Sequence, residues 1–144
     1  MKRTYIRRAA ELVTCSGNKA KHGSDMKEVG IIKNGAVLIE DGRIARVGTT
    51  EELDKEVDFS TAELIDADGQ AVLPGFVDSH THFVFGGYRA DEFGWRLQGE
   101  SYLSIMEKGG GINATVTPTR AASVEDFVAV GEERLDTMLR FGVT

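Results

Sequence analysis

From Ala10 to Asp66 the apolar runs are short, rich in β-branched residues and separated by turn signals, which is the pattern of strands rather than helices. Leu12-Val13-Thr14, Gly30-Ile31-Ile32, Ala36-Val37-Leu38-Ile39 and Ile44-Ala45-Arg46-Val47 are the predicted strands. Asp41-Gly42 separates the last two, and that dipeptide accepts the positive φ angles of a tight hairpin. Ser16 to Glu28 is polar and carries Lys19, Lys21 and Lys27, so it predicts a loop. Thr50 to Val57 predicts one short helix with Thr50 as its cap.

The pattern changes at Gln70. Leu73-Pro74-Gly75 marks a turn, and Phe76 to His82 predicts a strand with an unusual polar face. Gly86-Gly87 ends it, Ser101 to Lys108 predicts a short helix, and Gly109-Gly110-Gly111 closes that helix. A long helix follows. Ser123 caps it with Asp126 three residues on, and Val124, Phe127, Val128, Leu135, Met138 and Leu139 form its apolar stripe. Asp136 and Arg140 are spaced as an i,i+4 pair, Gly142 is placed to end the helix, and Val143-Thr144 starts another strand. The fold class expected is α/β with a β-rich N-terminal section. The organisation expected is two parts, residues 1–70 and residues 71–144. A strand, irregular chain and a helix are how a βα barrel begins, but a whole barrel needs about 200 residues or more, so only its first βα unit is expected here.

Composition narrows the classes. The 144 residues are 41% hydrophobic and 28% charged, the make-up of a globular chain able to bury a core. A net charge of −6 argues against nucleic acid as partner, since affinity for a phosphate backbone comes from clustered Lys and Arg. Ile6-Arg7-Arg8-Ala9-Ala10-Glu11 breaks any secretory apolar run, and no segment approaches the roughly 20 apolar residues of a membrane span. Cys15 is the single cysteine and forms no internal disulfide, so the expected location is the cytoplasm.

If residues 76–82 form a strand, Asp78, His80 and His82 share one face. Imidazoles at i and i+2 can reach a single metal ion, and a carboxylate beside them suits a neighbour that orients a ligand. The same spacing also suits two histidines hydrogen-bonded at a polar strand end. Arg89 offers a planar fork for a carboxylate or is a solvated surface charge. Tyr102 is open to two readings as well, a helix-face core residue or a binding group. Gly109 to Gly111 lacks the Lys-Ser/Thr ending of a phosphate loop.

Leu73-Pro74-Gly75-Phe76-Val77-Asp78-Ser79-His80-Thr81-His82 resembles the first barrel strand of the amidohydrolase superfamily, and Ile65 to Gly69 resembles the segment that follows the hairpin in that superfamily's small β-sandwich. Phe83 to Arg89, Leu97 to Leu103, Gly109 to Ile112 and Thr119 to Ser123 together resemble the imidazolonepropionase family. The resemblance runs from about Leu12 to Thr144. It implies a partial β-sandwich followed by the first βα unit of an incomplete TIM barrel. It implies one divalent metal ion, zinc or iron, held by His80 and His82, with Arg89 on the substrate's propionate carboxylate and Tyr102 against the substrate. The activity implied is hydrolysis of the cyclic amide of 4-imidazolone-5-propanoate to N-formimidoyl-L-glutamate, with a small molecule as the only partner besides a homodimer of the full-length protein. The remaining ligands and the acid and base groups belong to later barrel strands, so no catalytic residue is expected in this chain and no activity from it alone. Other amidohydrolases, deaminases or hydantoinases, share His-X-His without the later segments, and a non-catalytic β-sandwich module is the alternative outside enzymes.

Overall fold

A computed structural model describes residues 2–144, which divide into two compact units, one running up to Pro74 and the other Gly75–Thr144. Both strands and helices are present, so the chain is mixed α/β.

The first unit is built on one mixed sheet. β1 (Arg3–Val13) lies between β2 (Ile31–Glu40), antiparallel to it, and β4 (Glu63–Asp66), parallel to it; β3 (Arg43–Thr49) flanks β2, and the short β5 (Ala71–Val72) pairs parallel with the end of β1. The β2–β3 hairpin turns through Asp41 and Gly42 at φ +48° and +78°, the left-handed values an Asp-Gly dipeptide readily adopts, with Glu40 opposite Arg43. Alternation along the strands sorts the side chains onto two faces. Tyr5, Ala36 and Leu38 pack with Leu53 and Val57 under α1 (Thr50–Leu53), while Ala9, Leu12 and Val37 pack with Ile6, Ile39 and Val72 on the other face. That second face is partly open. It forms an apolar groove of about 390 Å³ lined by Ile39, Ile44, Val47 and Leu73, among others, and Ile44 is 70% exposed.

Three local expectations are corrected here. β1 begins at Arg3, well before the predicted Leu12, because a bulge between Ile6 and Ala9, with Arg8 at φ +58°, lets the strand carry Arg7 and Arg8 in succession with each facing a carboxylate. Arg7 pairs with Asp54 and lies over the Phe59 ring, and Arg8 reaches Asp66 at 2.7 Å. The two short runs at residues 30–32 and 36–39 are one strand, β2. The cap of α1 is Thr49, whose hydroxyl accepts the Glu52 N–H while the Glu52 carboxylate accepts the Thr49 N–H. Thr50 instead is buried, accepting the Arg8 N–H at 3.0 Å and donating to the Gly35 carbonyl.

The second unit is helical. α2 (Ala90–Leu97), α3 (Tyr102–Glu107), α4 (Asn113–Ala121) and α5 (Val124–Arg140) follow one another; α3 and α5 were expected, α2 and α4 were not. Ser101 caps α3 and a Ser123–Asp126 capping box starts α5. At its far end Val143 N–H bonds the Met138 carbonyl and Gly142 N–H bonds the Leu139 carbonyl, with Gly142 at φ +83°, a Schellman close. Asp136 and Arg140 do not form the expected ion pair, which belongs to an exposed surface where such pairs gain little. Of the apolar stripe, Phe127 and Met138 are half-buried and Val124, Val128, Leu135 and Leu139 are exposed.

The strand expected over residues 76–82 is reduced to one parallel bridge, Phe76 to Val143, with Phe76 N–H on the Gly142 carbonyl and Thr144 N–H on the Phe76 carbonyl. Beyond Phe76 no ladder partner is present among the described residues, so residues 77–85 run as irregular chain.

Candidate metal and anion site

His80 and His82 stand in this irregular segment, both exposed, and their side chains converge. The rings are nearly parallel, 14° apart, and the two Nε2 atoms are 3.1 Å from each other. Two imidazole nitrogens at about 2.0–2.1 Å from a tetrahedral ion lie roughly 3.3–3.4 Å apart, so the pair fits two corners of such a site after a shift of a few tenths of an ångström. The same separation suits a hydrogen bond when one Nε2 carries a proton. Among the described residues no group of three or more His, Cys, Asp or Glu gathers around a common centre. The two imidazoles are by themselves short of the three protein ligands usual at a catalytic zinc.

Asp78 has another task. Its carboxylate accepts the backbone N–H of His80 at 3.0 Å, a turn that fixes the backbone of the first histidine rather than the ring. Asp78 to Val84, with Met138 of α5, line an open basin of about 690 Å³.

Arg89 caps the start of α2 without a side-chain cap bond and is half-exposed. It lines a second cleft, of about 380 Å³, together with His82, Val84, Phe85, Tyr88, Ile112 and Thr115. One imidazole of the histidine pair and the guanidinium thus face the same space, separated by apolar walls. A ligand in this cleft would meet an imidazole edge on one side and a positive charge on the other. Tyr102 lies outside that cleft, on the first turn of α3 and 57% exposed, with its hydroxyl directed toward Gly111.

Two residues that the sequence did not single out organise this region. Glu92, only 8% exposed, accepts the Gly111 N–H at 2.7 Å through one oxygen and faces Arg89 Nη1 at 3.7 Å through the other. Its i,i+3 spacing from Arg89 was the available signal. Arg134, on α5, donates from Nη1 to the carbonyls of Phe83 at 2.7 Å and Phe85 at 3.3 Å, and from Nε to the Tyr88 hydroxyl at 3.1 Å. Nothing local in the sequence marks it, since its partners are about fifty positions away.

In sequence, the class that this site matches is the amidohydrolases: the amidohydrolase family model covers residues 63–124, and the imidazolonepropionase-like composite domain of bacteria covers residues 35–55. The particular resemblance is to imidazolonepropionase. The imidazolonepropionase of Clostridium tetani is 50% identical over 96% of this chain and 33% of its own length, that of Parabacteroides distasonis 53% identical over 96% and 33%, and that of a Geobacillus species 47% identical over 100% and 35%. The chain spans about a third of the length of these relatives. The solved guanine deaminase of E. coli aligns at a TM-score of 0.49 with 20% identity, over 58% of this chain and 19% of that one. No described helix is long and apolar enough to cross a membrane.

Proposed function

We propose that this chain is the N-terminal portion of an imidazolonepropionase, which hydrolyses the cyclic amide bond of 4-imidazolone-5-propanoate to N-formimidoyl-L-glutamate. The observation that carries the reading is the shared cleft of His82 and Arg89, on a chain about 50% identical to imidazolonepropionases along nearly its whole length.

In this reading His80 and His82 hold one divalent ion, zinc or iron, through Nε2. Such an ion, when bound, supplies Lewis acidity and a water that ionises near neutral pH. Arg89 takes the propionate carboxylate through its fork, which orients the ring with its carbonyl toward the histidines. Val84, Phe85 and Ile112 give the ring an apolar wall, and Tyr102, which stands outside this cleft on α3, lies against the substrate by the family resemblance alone. The further ligands, and the groups that activate water and protonate the leaving nitrogen, come from the rest of the longer polypeptide.

The same reading places residues 1–70 in a small β-sandwich, whose other sheet covers the open apolar face at Ile44 and Val47, and residues 71–144 at the start of a TIM barrel, with Phe76 and Val143 as the first parallel strand pair. The test is to assay the full-length protein, loaded with zinc or iron, on imidazolone propionate. Ring opening to formimidoylglutamate is expected. Turnover of a hydantoin or an aminated heterocycle instead, with none of imidazolone propionate, would overturn the assignment.

A further inference from the structure

We infer that Arg134 is a positioning residue that sets the distance between the metal histidines and the anion-binding guanidinium; this rests on the proposed function. His82 and Arg89 are joined by residues 83–88, which carry no helix or strand of their own. An irregular segment of that kind holds no fixed length between its ends unless something outside it ties it down. Arg134 is that tie. Its Nη1 bridges the carbonyls of Phe83 and Phe85, its Nε reaches the Tyr88 hydroxyl, and its guanidinium carbon lies 3.9 Å from the centre of the Phe85 ring and 4.8 Å from that of Tyr88.

Two carbonyls, a phenol and two ring faces are engaged by one planar cation, and every one of them lies between the two site residues. A guanidinium does this because its donors point in several directions within a plane while its faces remain free for aromatic rings. The anchor itself is firm, being on α5, the longest helix, capped at both ends. Arg134 does not line the cleft that His82 and Arg89 share. It acts through them.

The test uses the full-length enzyme with Arg134→Met, which removes the donors and charge, and Arg134→Lys, which keeps the charge without the fork. Three readouts are compared: metal content, the split between KM and kcat on imidazolone propionate, and hydrogen exchange of the amides of residues 84–89. Both variants are expected to keep their metal, to raise KM about tenfold or more with a smaller change in kcat, since misplacement by about an ångström costs on the order of a hundredfold. Exchange across 84–89 is expected to quicken while α5 stays protected. In a double variant with Arg89→Ala, the Arg134→Met effect on KM is expected to vanish, because the group it positions is gone. Folded Arg134 variants with unchanged KM, or an effect that multiplies fully with that of Arg89→Ala, would overturn the inference. An active wild type in that event leaves the functional reading standing, whereas an inactive metal-loaded wild type sinks both. If Arg134→Met does not fold, Arg134→Lys carries the same comparison.

Discussion

Glu92 holds Gly111 with one carboxylate oxygen, at 2.7 Å, and faces Arg89 with the other, at 3.7 Å. The buried carboxylate thereby ties the glycine turn after α3 to the first turn of α2, where the guanidinium is displayed. Replacing Glu92 with Ala strands the Gly111 N–H without an acceptor and should cost about 1–3 kcal/mol of stability, while Gln keeps an acceptor and should cost less. Denaturant unfolding of the full-length protein and both variants measures this. Equal losses would show that the charge, not the hydrogen bond, is what matters.

The histidine pair makes its own demand. His80→Ala and His82→Ala in the full-length protein should each lose most of the bound metal, because removing one of few ligands leaves the ion too weakly held. Metal analysis of the purified variants decides, and full occupancy in both would place the ion elsewhere.

Arg89→Ala should keep metal and fold but lose at least about tenfold in kcat/KM, the equivalent of a charge-assisted pair contributing roughly 1.5–3 kcal/mol. Lys at this position should recover little, since a point charge cannot form two parallel bonds to a carboxylate. A substrate analogue without the carboxylate should be turned over equally by wild type and Arg89→Ala. Unchanged kinetics in Arg89→Ala would reduce the residue to a surface charge.

Tyr5 supplies a test at alkaline pH. Burial above all, then the hydrogen bond to Asp54 at 2.8 Å and the charge of that carboxylate, push its hydroxyl above the ordinary tyrosine range, against a smaller pull downward from Arg7. The folded state holds this proton more tightly than the unfolded chain does. The stability it confers is full below the unfolded value of about 10 and is lost as pH rises through the higher folded value. Stability should therefore fall from about pH 10 upward, and Tyr5→Phe should flatten that fall. The same slope in both proteins would mean that other groups govern the alkaline side.

Much of the local structure was legible where a signal and its effect are neighbours in the chain. Asp41-Gly42 sets the hairpin, and Ser123 with Asp126 starts α5, because each acts within four residues. Where long-range partners decide, local reading misled. Arg7 and Arg8 look hostile to a strand until Asp54 and Asp66 are brought to them by the fold. Thr49 and Thr50 are equally good caps on paper, and only the Arg8 N–H and Gly35 carbonyl claim the second for the interior. α4 hid behind Pro118 and its β-branched residues, and α2 behind Gly94, all poor helix formers. Of the site, the convergence of His80 and His82 was legible from their spacing, although the strand meant to produce it is absent beyond Phe76. Glu92 offered only its i,i+3 spacing from Arg89 and Arg134 offered no local signal, since most of what they touch is set by packing.

The bridge from Phe76 to Val143 also fixes an order of events in time. The hairpin closes a loop of two residues, Asp41 and Gly42, whereas this bridge closes all of residues 77–142. Closing a longer loop costs more chain entropy and slows the contact that depends on it. On a ribosome, the strands of the first unit are all available once Pro74 has emerged, while Phe76 waits unpaired until Val143 follows. Pulse-labelled exchange during refolding should accordingly protect the amides of Val37 and Leu38 before that of Thr144, and simultaneous protection would mean that the helices gather the later segment as fast as a turn gathers the hairpin. Through that interval Phe76, Val77 and the two histidines are exposed together, so the segment proposed to bind metal is also the one most open to wrong pairing while the chain is being made.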